Sequence, residues 1–325
     1  MATGPRSPLR VAAWVAAVSA LVVGTAQMPA SAASRLREFV IPGNTPGPQR
    51  IALGSDGALW FTEINQGIGR MTPSGTFSNF SVSPGGQPLD IVSGPDGALW
   101  FTESYDDKIG RLTTDGQLTE TLLCSSGCGE GQIEPWDIVS GPDGALWFTE
   151  YETNAIGRMT TAGAISTFPL GGSMTHPLGL TVGPDGALWF TDASGIGRMT
   201  TAGVATQMAT VDSYEITTGP DGNLWFGVSS SDQVGKMTTA GQITLFQVPV
   251  GCYPQELAPG LGAVWFGCYY LDELDRITPN GTLTVFPIPS HFPNYPDSIQ
   301  AIVQGPGRTM SFVEYAAERV GRLQP

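Results

Sequence analysis

The chain has 325 residues, of which 41% are hydrophobic and 14% are charged. It carries 15 Lys and Arg residues against 29 Asp and Glu residues, a formal net charge of −14, and such a surface repels phosphate backbones and anionic bilayers. Nucleic acids and anionic membranes are therefore excluded as partners, whereas a small cation or a neutral or basic organic ligand fits the sign of the charge.

The first 33 residues have the features of a secretory signal peptide. Arg6 and Arg10 supply a basic start, residues 11–26 form an apolar run, and Ala30-Ser31-Ala32 offers small residues for cleavage. No later apolar stretch approaches the roughly 20 residues that span a bilayer. We therefore predict a secreted, extracellular monomer, free of the membrane after cleavage near Ala33; an uncleaved N-terminal anchor is the alternative.

Residues 34–325 form one predicted domain built from a repeated unit. The decapeptide GPDGALWFTE occurs at 94–103 and again at 141–150, and GPDGALWFTD follows at 183–192. Aligned by one tryptophan per copy, the copies are spaced by 40, 47, 42, 36, 40 and 46 residues, with Ser311 at the Trp position of a seventh. A period near forty is typical of a propeller blade or of a helical pair. The aligned tryptophans are Trp60, Trp100, Trp147, Trp189, Trp225 and Trp265.

The pattern within a unit favours the propeller. Each unit has four short β-type runs, such as DIVSG, ALWFTE, KIGRLTT and QLTETLL, separated by turns and without a helical period. The run ALWF is apolar on both faces, as a sheet packed between two other sheets requires. We predict an all-β fold, a seven-bladed β-propeller with four antiparallel strands per blade. Since the last copy lacks a fourth run, residues 37–42 are predicted to complete it and close the ring.

Residues that recur in every copy are assigned to structure. The Leu-Trp-Phe run is predicted to be core. A basic residue recurs on the third run and an acidic residue at the end of the second, and we predict ion pairs between them, across strands or between blades. The basic residues are Arg70, Arg111, Arg158, Arg198, Lys236, Arg276 and Arg322, and the acidic residues are Glu63, Glu103, Glu150, Asp192 and Glu314.

The four cysteines of an exported chain are predicted to form disulfides. Cys252 and Cys268 are equidistant from the turn at residues 259–262, so we expect them to face each other across a hairpin. Cys124 and Cys128 are expected to close a small local loop. A metal site built from these thiols is disfavoured because no histidine lies near either pair.

Function is expected where the copies differ, in the loops at one face of the ring. The two longest spacings lengthen the loops before two innermost strands, at residues 124–134 and 287–296. At the start of the innermost strands, four copies have a carboxylate at one position. If these carboxylates converge on the channel, they are predicted to hold Mg²⁺ or Ca²⁺; if they point aside, they accept hydrogen bonds from the adjacent blade. They are Asp90, Asp137, Glu215 and Glu256.

The two histidines lie in variable loops of the same face. His176 precedes an innermost strand and His291 lies in the long loop HFPNYP, so either is a candidate general base, with a surface role as the alternative. The sequence has no GxSxG, HExxH, P-loop or EF-hand pattern.

The motifs PxDIVxGPDGALWFTE and IGRMTTxG resemble those of the virginiamycin B lyases, also called streptogramin B lyases, over nearly all of the mature chain. The resemblance implies a ring of seven blades and the opening of a macrocyclic depsipeptide antibiotic by elimination at its ester linkage. It also implies a histidine as general base, with a magnesium ion and glutamates in the channel mouth.

This chain departs from the family at the positions that carry the chemistry. The family histidines stand in a Pro-His-x-Ile motif that leads into the last two blades, where this chain has Gln255 and Gln300. A glutamine amide cannot abstract a proton. The glutamate before the last such motif falls on Ser298, and Glu314 matches the next one approximately. Glu134-Pro135-Trp136 resembles the motif in blade three, with Trp in place of His.

Two functions from different classes follow. The favoured one is a non-catalytic propeller that binds a small molecule, peptide or glycan at the channel mouth. The alternative is a lyase or hydrolase that uses carboxylates, a divalent cation and a recruited histidine. The candidate catalytic residues are His176, His291 and Glu314, and the candidate ligand-binding residues are Glu134, Trp136, Tyr214, Gln255 and Gln300.

Overall fold

A computed structural model describes residues 21–22, 35–43, 47–124, 131–289 and 299–325. These residues form seven sheets of four antiparallel strands, one of which has the two residues Leu21–Val22 as a parallel fifth strand. The innermost strand of every sheet contacts that of the next until the seventh meets the first. The predicted seven-bladed propeller is confirmed. The described residues contain no helix long and apolar enough to cross a membrane.

Blades one to six run outward from the central channel in chain order, and blade seven takes its outer strand from the N-terminal part of the chain. The innermost strands are Pro48–Leu53, Pro88–Ser93, Pro135–Ser140, Leu180–Val182, Ile216–Thr218, Pro254–Gly260 and Ile299–Gly305. The second strands are Leu59–Glu63, Leu99–Glu103, Leu146–Glu150, Leu188–Asp192, Leu224–Val228, Ala263–Cys268 and Thr309–Glu314. The third strands are Gly67–Met71, Lys108–Leu112, Ala155–Met159, Gly195–Met199, Gln233–Met237, Glu273–Ile277 and Arg319–Leu323. The outer strands are Phe77–Phe80, Leu118–Leu122, Ile165–Pro169, Ala205–Ala209, Ile243–Gln247, Leu283–Pro287 and, for blade seven, Leu36–Val40.

The N-terminal strand closes the ring. Leu36–Val40 pairs antiparallel with Arg319–Leu323 along its whole length, and the Ile41 backbone N–H donates to the Glu318 carbonyl at 2.9 Å. Ile41 is buried among residues of blades one and seven, including Phe61. The strand therefore joins the two blades on either side of the closure, as predicted.

The core lies between the blades and is made by the repeated second strands, which are buried along their whole length except at Thr309, the first residue of the blade-seven strand. Four of the six tryptophans pack against phenylalanines of the outer strands, as in the pair Trp60–Phe80 with ring centroids 5.2 Å apart. In blade two, Phe101 lies directly opposite Gly110, and a Cβ on that glycine would collide with the ring. This contact explains the glycine of the recurring IGR segment.

Five of the seven recurring basic residues pair with a residue other than the one predicted. In blade two, Arg111 Nε donates to Asp96 Oδ2 at 2.7 Å, and Asp96 Oδ1 accepts from Trp100 Nε1 at 2.9 Å. Asp96 belongs to the GPDG turn, so the turn aspartate joins the arginine to the core tryptophan. The acidic residue of the second strand has other partners, since Glu63 accepts from Asn79 at 2.5 Å. The equivalent ion pairs between a turn aspartate and a basic residue are Asp56–Arg70, Asp143–Arg158, Asp185–Arg198 and Asp221–Lys236.

The Cys252–Cys268 disulfide is present, with Cα atoms 4.4 Å apart. The expectation that the two cysteines face each other directly is wrong, because a bulge shifts the register and Pro254 lies opposite Cys268. The bridge therefore ties the loop before the innermost strand of blade six to the end of the second strand.

Replacing both cysteines with serine is expected to lower the free energy of unfolding by about 2–4 kcal/mol, since the bridge closes a loop of about 17 residues in the unfolded chain. Chemical denaturation of the double variant and the oxidised protein measures the difference. Mass spectrometry of the non-reduced protein should show the linked peptides, and finding both thiols free would contradict the bridge.

Several predictions concern residues outside those described. Of the proposed signal peptide only Leu21–Val22 are described, as a two-residue strand parallel to Ile243–Gln247. His291, Ser298 and Cys128 also lie outside the described residues, so the predictions made for them stay predictions.

Candidate functional site

The register shifts near the start of the innermost strand in five blades, namely one, two, three, six and seven. In blade two the register shifts between Pro88 and Ile91. Thr102, from the LWFTE motif, holds this bulge: its hydroxyl accepts from the Asp90 N–H at 3.0 Å and donates to the Trp136 carbonyl of the next blade at 2.9 Å. The same bond to the next blade is made by Thr62, Thr149 and Thr191. The recurring threonine thus links neighbouring blades and positions the ring of channel residues.

The channel carboxylates converge, and they converge on an arginine. Arg50, from the bulge of blade one, places Nη2 at 3.0 Å from Glu215 Oε1 and 2.9 Å from Glu256 Oε1. Its Nε lies 4.0 Å from Asp90 Oδ1, and its Nη1 donates to the Gln300 carbonyl at 3.0 Å. The Arg50 side chain is 17% exposed. A guanidinium therefore takes the central position among the carboxylates.

Two of the channel carboxylates also accept hydrogen bonds from backbone N–H groups. The carboxylates therefore both converge on the channel and bind the adjacent blade, two arrangements that the sequence had left as alternatives. Asp90 Oδ2 accepts from the Ile138 N–H at 2.8 Å, and Asp137 Oδ2 accepts from the Leu180 N–H at 2.6 Å. Each bond runs to the next blade.

Burial and mutual repulsion decide the charges of this ring. Burial raises the pKa of Asp137 well above its usual range, and the neighbouring Asp90 raises it further. Burial also raises the pKa of Glu256 and of Glu215, against the attraction of Arg50. Burial by itself would lower the pKa of Arg50, but the surrounding carboxylates raise it, so the guanidinium stays charged.

The donor set does not fit a divalent cation in this arrangement. Mg²⁺ and Ca²⁺ need several oxygen ligands arranged around one point. Here Arg50 binds Glu215 and Glu256, and Asp90 and Asp137 each use one oxygen on backbone. Among the described residues, the one group of three metal-ligand side chains with mutually close atoms is Cys252, Cys268 and Asp275, and its cysteines are joined as a disulfide. A bound cation stays a prediction.

The ring separates two cavities. The mouth, of about 210 Å³, opens on the loop face, and a channel cavity of about 390 Å³ lies beyond it between the innermost strands. Arg50, Glu215 and Glu256 line both cavities and so form the floor of the mouth, while Asp90 and Asp137 line the channel alone. The other residues lining the mouth are Gln49, Leu89, Trp136, Leu178, Tyr214, Gln255 and Gln300.

The structure brings together four of the five predicted ligand-binding residues, namely Trp136, Tyr214, Gln255 and Gln300. Glu134 is not among the residues that line the mouth; its backbone N–H donates to Asp107 Oδ1 at 2.9 Å. Of the candidate catalytic residues, Glu314 is fully buried at the end of a second strand. His176 lines a separate cavity beside the mouth.

Arg50 is the important residue that sequence reasoning missed. It occupies the position that holds a carboxylate in four other copies. A basic residue in place of an acidic one was the feature of the sequence that could have indicated an ion pair. Only the closed ring shows its meaning, because Arg50 and Glu215 are 165 residues apart in the chain.

The chain also resembles known proteins along most of its length. The profile of the virginiamycin B lyase family matches residues 9–213 and 192–325. The chain belongs to the virginiamycin B lyase family.

Individual family members show how far the likeness extends. The virginiamycin B lyase of Saccharopolyspora erythraea is 43% identical over 86 residues, a segment that covers 26% of this chain and 29% of that relative. The crystal structure of the Staphylococcus aureus virginiamycin B lyase is 29% identical, with a TM-score of 0.81, over 90% of this chain and 99% of that one. A catalytically inactive histidine-to-alanine variant of the S. aureus enzyme, solved with quinupristin, has a TM-score of 0.79 at 29% identity and the same two shares.

Proposed function

We propose that this protein is an exported, monomeric member of the virginiamycin B lyase family that binds a small neutral molecule or peptide at the channel mouth. It opens streptogramin B antibiotics slowly or not at all. The observation that carries the proposal is the presence of Gln255 and Gln300 in the mouth lining, at the positions where the family resemblance places histidines. Export is supported by the signal-like N-terminus.

The mouth suits an uncharged ligand. Trp136 and Tyr214 offer aromatic surface, Leu89 and Leu178 offer apolar walls, and glutamine side chains supply amide donors and acceptors. Small-molecule sites combine such walls with a few polar groups. The one cationic group of the floor, Arg50, already binds both Glu215 and Glu256, so an anionic ligand group gains little there.

Elimination at an ester linkage needs a base that accepts a proton from carbon as the carbon–oxygen bond breaks. Neither Gln255 nor Gln300 can do so. The inactive S. aureus variant shows that a histidine is indispensable in that enzyme, and this chain lacks one at both family positions.

An active lyase with a different base is the second candidate, and two observations favour it. Burial raises the pKa of Glu256, which lines the mouth and would be a stronger base than an exposed carboxylate. His176 lines a cavity that shares Leu178 and Tyr214 with the mouth.

Wild-type protein incubated with quinupristin and magnesium is expected to leave the ring closed, because glutamines, Gln255 and Gln300, stand at both family positions of the histidine base. Mass spectrometry of the antibiotic measures ring opening, and calorimetric titration measures its binding. The double variant Gln255→His/Gln300→His restores both family histidines and is expected to gain turnover above the wild type.

Rapid ring opening by the wild type would overturn the proposal. Loss of that turnover in His176→Ala or in Glu256→Gln would then identify the replacement base. Thermal unfolding of each variant provides the control for folding. A wild type that neither binds nor opens quinupristin supports the loss of lyase activity and excludes streptogramin B as the ligand of the mouth.

A further inference from the structure

The tyrosines are confined to one face of the ring. The chain has eight of them, and each of the seven that the structure describes lies in a connection at the loop face, either before an innermost strand or between a second and a third strand. Aromatic side chains gathered on one surface are typical of a contact site for another molecule. The seven are Tyr105, Tyr151, Tyr214, Tyr253, Tyr269, Tyr270 and Tyr315.

Three of these rings pack together on blade six. The ring centroid of Tyr253 lies 5.5 Å from that of Tyr270 and 6.5 Å from that of Tyr269. The rings of Tyr269 and Tyr270 are perpendicular, with centroids 4.9 Å apart. We call these three residues the tyrosine cluster. The cluster is open to solvent, because Tyr270 is 58% exposed and Val250, in the same loop as Tyr253, is 88% exposed.

The disulfide of blade six holds the tyrosine cluster in place. Cys252 directly precedes Tyr253, and its partner Cys268 directly precedes Tyr269. Asp232 provides a second anchor, since one of its carboxylate oxygens accepts from the Tyr253 N–H at 3.0 Å. Aromatic groups that are fixed before binding lose little conformational freedom when a partner arrives. The cluster is therefore a rigid, exposed aromatic surface.

The face around the tyrosine cluster is acidic. The described connections of the loop face hold nine carboxylate side chains and neither lysine nor arginine. Burial raises the pKa of the Tyr253 hydroxyl, and Tyr214, Tyr270 and Asp212 raise it further, so the exposed carboxylate of Asp212 lies near the cluster. Such a face repels anions and attracts cations. The nine are Asp106, Asp107, Glu134, Glu152, Asp212, Glu215, Asp232, Asp272 and Glu318.

We infer that the tyrosine cluster binds a basic polypeptide segment, whose arginine side chains stack on the exposed rings while Asp212 and the surrounding carboxylates attract their charge. Aromatic faces attract cations, and the planar guanidinium of arginine also stacks on them. Small molecules favour concave sites, whereas this open surface suits an extended chain. The inference does not depend on what the mouth binds, because none of the three tyrosines of the cluster lines the mouth.

Three labelled peptides distinguish this chemistry, and fluorescence polarisation measures their binding to the mature protein. Hexaarginine is expected to bind saturably, with an affinity that falls as sodium chloride is added. Hexacitrulline has nearly the same shape without the charge and should bind about tenfold more weakly or worse. Hexalysine keeps the charge without a planar group to stack and should bind about threefold more weakly or worse.

Two variants with matched controls assign the binding to the cluster. Tyr270→Ala removes an exposed ring and is expected to lower the affinity for hexaarginine about threefold to tenfold. Its control is Tyr105→Ala, because Tyr105 is 54% exposed in the equivalent connection of blade two. Asp212→Asn removes the exposed carboxylate beside the cluster and should lower the affinity about twofold to fivefold. Its control is Asp115→Asn, at an exposed turn of the opposite face. Both controls should leave the affinity unchanged.

Thermal unfolding verifies the fold of each variant, and Asp212→Asn carries the test if Tyr270→Ala proves unstable. Three results would each overturn the inference: no saturable binding of hexaarginine at millimolar concentrations, equal affinity for hexacitrulline, or losses in Tyr270→Ala and Asp212→Asn no larger than those in their controls. The last result would show that the net charge alone holds the peptide.

Discussion

A mature chain that begins at Gly43 is expected to unfold at a temperature roughly 10–20 °C below that of the chain that begins near Ala33. Removal of residues 35–42 strips blade seven of its outer strand and removes Ile41 from the junction of blades one and seven. Losing a paired strand and a buried isoleucine costs on the order of 5 kcal/mol. In a domain of this size each kcal/mol corresponds to about 2–4 °C.

The expected loss concerns the whole ring, because the missing strand seals the one point where the chain ends meet. Calorimetry should therefore show a single transition at the lower temperature. Ile41→Ala should reproduce part of the loss, about 2–5 kcal/mol. Val40→Ala is the control at the neighbouring position, where the side chain is 59% exposed. An unchanged midpoint in the shortened chain would contradict the closure.

Arg50→Met is expected to destabilise the protein by about 3–5 kcal/mol near neutral pH, since removing one partner leaves buried carboxylates without a counter-charge. Arg50 lies within 3.0 Å of Glu215 and Glu256 and 4.0 Å of Asp90. Urea denaturation of the variant and the wild type measures the loss. Arg37→Met, at an exposed arginine, is the matched control.

The destabilisation of Arg50→Met should decrease as the pH falls. Burial raises the folded-state pKa of Glu256 and of Asp137, and without Arg50 the pKa of Glu256 rises further. At any pH between the pKa of Glu256 in the unfolded chain and its raised pKa in the folded variant, the folded state binds more protons than the unfolded state. Lowering the pH through that window therefore stabilises the fold, and the difference from the wild type should narrow toward pH 5.

The same variant tests the predicted cation. With Arg50 removed, carboxylates of Glu215, Glu256 and Asp90 become free for a divalent ion, so calcium is expected to raise the unfolding temperature of Arg50→Met. The wild type should not respond, because the guanidinium holds that position. An equal calcium response of both proteins would show that a cation binds beside Arg50. Full stability of the variant without calcium would contradict the role of Arg50.

Repetition let the sequence predict the architecture. A residue needed in every blade appears in every copy, so the spacing of the tryptophans predicted seven blades, and the missing last strand predicted the closure by residues 37–42. The loop face and the position of the channel carboxylates followed from the same alignment. Repetition did not reveal the partners within a copy: the turn aspartate Asp96, and not Glu103, binds Arg111, because the turn folds back over the third strand.

The sequence by itself determined the propeller, its closure, the face that carries the variable loops and the Cys252–Cys268 pairing. Only the tertiary structure decided what the channel carboxylates bind and where a cavity opens. Arg50 of blade one contacts Glu215 of blade five across the axis of the ring. A repeat period in the sequence aligns equivalent residues but does not indicate which of them meet across that axis. The cavity that His176 lines likewise exists only in the closed ring, because Tyr151, His176 and Tyr214 come to it from three different blades.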